Sequence, residues 1–494
     1  MSWFNRRRSL MSWLILAIAT LTAVIGLSWQ PAAIANTARH YTELEFGPLG
    51  EIQFPDYERY ELANGLVVYL MEDHELPLVS GSATFRTGSR FEPASQVGLA
   101  SVTGDAMRLG GTTTVSPDEL NQALEQRAAS VETSIDIDSG TASFSALTED
   151  LASVFALFAD VVERPAFAPD KIDFLKNQYA GSIARRNDDP DDITSREFRK
   201  LVYGADSPYA RVIEYATVKT IDQTSVREFY RASVRPDRTI LGIVGDFDRE
   251  QMKALIEQHF GSWQASGNPL DVTTLPEVTQ AKTGVFNVEQ PQLTQSYIQI
   301  GHLGGQLNSP DHAPLSVLNE VLNGFSGRLF NEIRSRQGLA YVVYAYWAPR
   351  YDFPGMFIGG GQTRSDATVP MIESVKGEIQ RVRSAPISEA ELNQAKDAVL
   401  NSFVFNFQRP SQSLERLIRY EYYGYPQDFV FQFQAAVEQT TAAEVLTAAQ
   451  ENIDPDQLVI LVVGNSKAIE PGLNALAPDT TVTSLDITIA PAES

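Results

Sequence analysis

Residues 98–112 read Gly98-Leu-Ala-Ser-Val-Thr-Gly-Asp-Ala-Met-Arg-Leu-Gly-Gly-Thr112, which puts Ser101, Gly104 and Asp105 at i, i+3 and i+4 on one face of a helix. Two imidazoles at i and i+4 of such a face hold one Zn²⁺, and a glutamate between them activates the bound water. A hydroxyl, a hydrogen and a lone carboxylate do neither job. The rest of the chain supplies no replacement. His40, His74, His259, His302 and His312 have no histidine neighbours at i+3 to i+5, and read as surface or loop residues. There is no cysteine, so disulfides, thiolate nucleophiles and Cys-based zinc sites are excluded. Gly359-Gly-Gly-Gln362 lacks the Lys-Ser/Thr of a phosphate loop, and no Ser/His/Asp order suggests a hydrolytic triad. A second segment, Ser326 to Tyr341, carries Arg334 and Tyr341 seven residues apart. Taken singly, Arg334 reads as a solvated helix charge and Tyr341 as a core strand aromatic.

The elements around these segments come twice. Arg235-Pro-Asp-Arg-Thr-Ile-Leu-Gly-Ile-Val-Gly-Asp246 is a turn entering a buried strand, and Asp454-Pro-Asp-Gln-Leu-Val-Ile-Leu-Val-Val-Gly-Asn465 repeats it at an offset of 464 − 245 = 219. Tyr203-Gly204 matches Tyr423-Gly424 at 220, and Pro169-Asp170 matches Ser388-Glu389 at 219. A period this long marks a duplicated domain, because solenoid repeats run to about 20–50 residues. In the first half, strands are predicted at 65–70, 79–86, 131–137 and 141–146, with helices at about 151–162, 169–186 and 226–232. In the second, strands fall at 296–300, 341–347 and 356–358, with helices at 314–322 and 389–407. The acidic run Asp188–Asp192, broken by Pro190, reads as a helix-ending loop. Segregated strands and helices give an α+β class. The expected domains are 45–264 and 283–478, joined by a Pro-, Thr- and Gly-rich linker over 265–282 and followed by a flexible tail over 479–494.

Beyond these landmarks, Leu62-x-Asn64-Gly65-Leu66, the stretch Asp73 to Pro77, Gly88-Ser-Arg-x-Glu-Pro93 and the Gly98 helix follow in an order that resembles the M16 metallopeptidases (pitrilysin/insulinase-type, mitochondrial-processing-peptidase-like). The resemblance runs from about Tyr57 to Gly464. It implies two homologous domains, each a mainly antiparallel sheet covered on one face by helices, the LuxS/MPP-like metallohydrolase fold. Peptide-cutting members carry His-x-x-Glu-His where this chain has Ser101, Gly104 and Asp105. Their third ligand, a later glutamate, aligns with Ser182 or, less well, Gly181. All three ligands and the general base are replaced together, which implies no metal and no catalytic residue on this chain alone. Arg334 and Tyr341 match the family's substrate-binding pair, which reaches across to the catalytic half-site. A guanidinium fork grips peptide carbonyls and a phenol donates one hydrogen bond to a developing oxyanion. The implied role is a non-catalytic subunit serving a sister chain that carries His-x-x-Glu-His and the zinc, with peptides or unfolded polypeptides as substrates. The alternative is a catalytically silent peptide-binding or structural protein that kept the fold. An autonomous hydrolase with an unrelated site is the weakest reading.

Composition sets the outer bounds. The 494 residues carry a net charge of −23, which argues against nucleic acid as a partner. Arg6-Arg7-Arg8, an uncharged apolar stretch from Met11 to Ser28 and Ala33-Ile-Ala35 form a signal peptide over 1–35, whose removal takes the charge from −23 to −26. The apolar stretch is also long enough for an uncleaved anchor. Either way the body of the chain is expected outside the cytoplasm, in the periplasm after cleavage.

Overall fold

The computed structural model describes residues 52–324, 326–476 and 481–491; the expected signal peptide lies outside them. Among the described residues no helix is long and apolar enough to cross a membrane. The described residues form twelve strands in two six-stranded sheets. The first joins β1 (Glu58–Glu61), β2 (Val67–Glu72), β3 (Leu78–Phe85), β4 (Ser130–Ile135), β5 (Gly140–Leu147) and β6 (Thr239–Gly245) in the order β1-β2-β6-β3-β5-β4. The second joins β7 (Gly284–Glu289), β8 (Gln295–Leu303), β9 (Ala340–Ala348), β10 (Met356–Arg364), β11 (Val459–Gly464) and β12 (Thr483–Ser484) as β12-β7-β11-β8-β10-β9. Five strands of each sheet share one topology, with β2 matching β7 and β4 matching β9. Among the strand pairs of the described residues, β2–β6, β7–β11 and β7–β12 are parallel and the others antiparallel. The sixth strand differs. β1 precedes β2 and pairs antiparallel, whereas β12 returns from the C-terminal end. Residues 481–491, expected to be loose, are therefore docked: Leu485 N donates to Asn287 O, and Leu485 and Ile487 pack on the second sheet.

Each sheet buries one face under its own helices. In the first half the core gathers Val79, Ala83 and Phe85 from β3 with Ala100, Ala106, Phe155, Phe158 and Phe260. In the second it gathers Ile298, Ile300, Leu318, Met371 and Val375. The other face of each sheet receives a helix from the opposite half. Leu414, Leu417, Ile418 and Tyr422 of Pro410–Tyr423 pack on Tyr69, Met71, Ile240 and Val244. Reciprocally, Ile193, Phe198, Leu201 and Val202 of Pro190–Tyr203 pack on Phe286, Val288, Val459, Leu461 and Val463. Both helices open on proline and close on Tyr-Gly, at an offset of 410 − 190 = 220. The Tyr-Gly landmark thus marks the ends of two interlocked helices. The acidic run is a correction: Asp189 caps the helix by accepting from Asp191 N, and Pro190, Asp191 and Asp192 form its first turn.

Polar ties reinforce the exchange. Arg90 grips Asp352 with both terminal nitrogens, at 3.0 and 2.7 Å. Tyr203 Oη donates to Pro354 O, and Tyr69 Oη donates to Glu421. Residues 263–283, between the halves, contain neither helix nor strand.

Candidate functional site

The helix Leu99–Leu109 begins after Gly98, whose φ of +104° needs glycine. Glu92 accepts from Gly98 N at 3.0 Å and Ala100 N at 2.8 Å, satisfying two first-turn donors. The Gly88–Pro93 motif is thereby explained: Glu92 caps this helix and Arg90 anchors the opposite half.

The helix lies against edge strand β4. A Cβ at Gly104 would sit 2.4 Å from Ile135 N and 2.7 Å from Ser134 C. Thr133 Oγ1 donates to Gly104 O at 2.6 Å, and Arg108 Nε donates to Val131 O at 2.9 Å. Backbone of β4 therefore occupies the space a general-base side chain would need. Asp105 is half-buried and accepts from Tyr179 Oη at 2.7 Å. Burial lifts its carboxyl above the usual range, against the opposing pull of the Tyr179 bond. Ser182, one turn beyond Tyr179 on Pro169–Arg185, is exposed and bonds only its own helix, donating to Gln178 O. These residues do not fit a zinc ion. Among the described residues no three His, Asp or Glu side chains converge as ligands. The histidine expectation needs correction at His302, buried in β8 where Asp454 N donates to its Nε2, and at His312, which opens the helix His312–Asn323 and stacks on Phe433 with its Nδ1 buried.

Arg334 and Tyr341 come together. Arg334 belongs to a π-helical turn, Phe330–Arg336, and Tyr341 follows at the start of β9. The Arg334 guanidinium lies 4.4 Å from the Tyr341 ring centroid and 4.8 Å from that of Phe330. Register explains the exposure of the tyrosine. Gln362 pairs with Val342 and Thr363 with Ala340, so Tyr341 is the extra residue of a bulge. The residue is 78% exposed, which sets aside the reading of Tyr341 as a core aromatic. The π-turn and the bulge re-aim the two side chains together, and both irregularities often accompany functional sites.

Sequence reasoning missed one device of this edge. Asn319 brackets Trp347, accepting from its N–H at 2.7 Å and donating to its carbonyl at 3.0 Å, and Asn323 brackets Ala345 in the same way. Two side-chain amides thus pair part of the edge strand, which leaves the Tyr341 end open. The i, i+4 asparagines on His312–Asn323 were the available signal.

The model described as Insulinase (Peptidase family M16) matches residues 67–205, and that described as Peptidase M16 inactive domain matches 220–399. A Bacillus subtilis protein named uncharacterized zinc protease YmxG is 24% identical over 361 residues, covering 73% of this chain and 86% of its own. The uncharacterized zinc protease Rv2782c of Mycobacterium tuberculosis is 27% identical over 315 residues, 62% of this chain and 70% of its own. Among solved structures, a peptidase M16 inactive domain from Pseudomonas fluorescens superposes with a TM-score of 0.75 at 23% identity, covering 84% of this chain and 100% of that one. The periplasmic protease PqqL of Escherichia coli gives 0.70 at 16% identity over 86% of this chain and 49% of its own. Likeness at such identity establishes the fold.

Proposed function

Since this chain belongs to the M16 peptidase family, we propose that it is the non-catalytic partner in a heterodimeric M16 zinc metallopeptidase. It shapes a peptide chamber and lends substrate-binding groups to a sister chain that carries His-x-x-Glu-His and the zinc. The observation that carries this reading is the Arg334–Tyr341 pair, presented on the surface by a π-turn and a bulge, in a chain whose own zinc frame is closed by β4. In this role Arg334 holds a peptide carbonyl and Tyr341 Oη donates to the oxyanion that forms during hydrolysis. Zinc chemistry belongs to the sister chain. The setting is extracytoplasmic, supported by the basic-then-apolar N-terminus and by the likeness to a periplasmic protease.

The test is reconstitution. The mature chain alone should not cleave unstructured peptides, and activity should appear on mixing with an M16 chain that has an intact zinc helix. If mixing yields neither a complex nor activity beyond that of the sister chain, a catalytically silent peptide-binding or structural protein becomes the better account.

A further inference from the structure

The open part of the first sheet's second face forms a cleft of about 570 Å³, within the ordinary range for binding sites. Its floor carries the hydroxyls of Ser80, Ser82, Thr84, Thr141 and Ser143 beside apolar Phe144 and Val244. Ser80, Ser82 and Thr84 of β3 stand opposite Ser145, Ser143 and Thr141 of β5, three cross-strand pairs on one face. Along each strand these groups recur every second residue, about 6.8 Å, which is also the repeat of alternate peptide groups in an extended chain. The wall is the exchanged helix Pro410–Tyr423, together with Arg350 and Tyr351. Tyr351 stacks on Tyr423, with centroids 4.6 Å apart and planes 5° from parallel.

The cleft lining balances two arginines against two carboxylates, Asp138 and Glu415, in a chain of net charge −23. Arg350 and Arg419 line it, and Arg416 lines a smaller recess continuous with it through Tyr351, Glu415 and Arg419. Glu415 pairs with Arg419, and Asp138 accepts from Tyr423 Oη. Arg416 donates to Asn406, and neither Arg350 nor Arg416 has a carboxylate partner among the described residues. One guanidinium without an ion pair, Arg350, therefore borders the floor, and a second, Arg416, lies in the adjoining recess. A guanidinium without an ion pair is a ready partner for carboxylate.

We propose that this cleft binds an extended acidic segment of polypeptide, its backbone on the hydroxyl rungs and its carboxylates on Arg350 and Arg416. This deepens the reading of the chain as a peptide-handling M16 subunit by naming a substrate class, and it rests on that reading only for the choice of a peptide as the ligand. The experiment needs no sister chain, so its failure is separate from failure of the reconstitution. A fluorescein-labelled ten-residue peptide of alternating Glu and Gly, and its Lys/Gly counterpart, are titrated with the mature chain, and anisotropy is read at low and at physiological salt. The acidic peptide should bind at least tenfold tighter than the basic one. Arg350→Ala, at an exposed position that leaves the fold intact, should weaken it about tenfold, the loss of one charge-assisted hydrogen bond. Ser143→Leu, which fills the floor, should abolish binding while Lys467→Ala, at an exposed position outside the cleft, leaves it unchanged, each variant checked by its melting curve. Equal affinity for the two peptides, or undiminished binding in folded Arg350→Ala and Ser143→Leu, would overturn the proposal.

Discussion

Gly104 faces the backbone of Ile135 so closely that a Cβ there would approach the amide nitrogen to 2.4 Å. Glycine in mid-helix costs ~1 kcal/mol relative to alanine, and here the close approach of helix to strand is what the glycine permits. Gly104→Ala should therefore destabilise the fold by ~1–3 kcal/mol, the usual cost of overpacking, whereas propensity alone predicts the opposite sign. Denaturant midpoints of the two proteins decide between them. For the same reason Ser101→His, Gly104→Glu and Asp105→His combined should not create a zinc site.

The Arg334–Tyr341 pair separates binding from chemistry. In the reconstituted heterodimer, Tyr341→Phe should lower kcat by ~10²–10³, the effect of losing one oxyanion donor. Arg334→Ala should chiefly raise KM. Neither change should dissolve the heterodimer. Parental rates in both assembled variants would remove the assigned roles.

Exchange of helices between the halves couples their stability. The mature chain expected after cleavage at 35 keeps two of its five tryptophans, Trp263 in the first half and Trp347 in the second. Both are buried in their respective cores. With each examined alone, using Trp→Phe at the other position, the two fluorescence transitions should coincide. Leu417→Ala, at a fully buried contact between the halves, should cost ~2–5 kcal/mol and shift both transitions together. Two separated transitions would mean that the halves fold independently.

Glu163 introduces a pH dependence. Burial raises its carboxyl to about 7, and its Oε1 is buried without a hydrogen-bond partner. The folded state holds a proton that the unfolded chain has already lost, so this residue's contribution is full below about 4.5 and is lost as pH rises through 7. Glu163→Gln should melt close to the parent at pH 4.5 and above it at pH 8. A parent that gains stability relative to the variant over that interval would contradict the assignment.

The duplication was legible because its marks are backbone requirements. Gly245 and Gly464 end equivalent central strands, and the Tyr-Gly pairs end the exchanged helices. The vacated metal frame was legible only through the family resemblance, because Ser101, Gly104 and Asp105 taken alone read as a packing helix. The exchange itself was not, because Leu417 and Phe198 show only that their helices have apolar faces, and a face does not say which sheet it will meet. The resemblance named Arg334 and Tyr341 as a pair, but the stacking of the guanidinium on the exposed ring was likewise hidden. Helical and strand periodicity assumes regular elements, and a π-turn and a bulge break both periods at this point. The closed space at Gly104 depended on the distance between helix and strand, which spacing in sequence does not encode.

With the ligand positions occupied by Ser101, Asp105 and Ser182, this chain should carry no catalytic metal of its own. Elemental analysis of the mature chain, purified without chelator, incubated with Zn²⁺ and desalted, addresses it directly when the same sample is assayed for peptide cleavage. The sample should hold no stoichiometric zinc and cleave nothing; one tightly held Zn²⁺ per chain, with peptidase activity that chelator removes and zinc restores, would overturn the assignment.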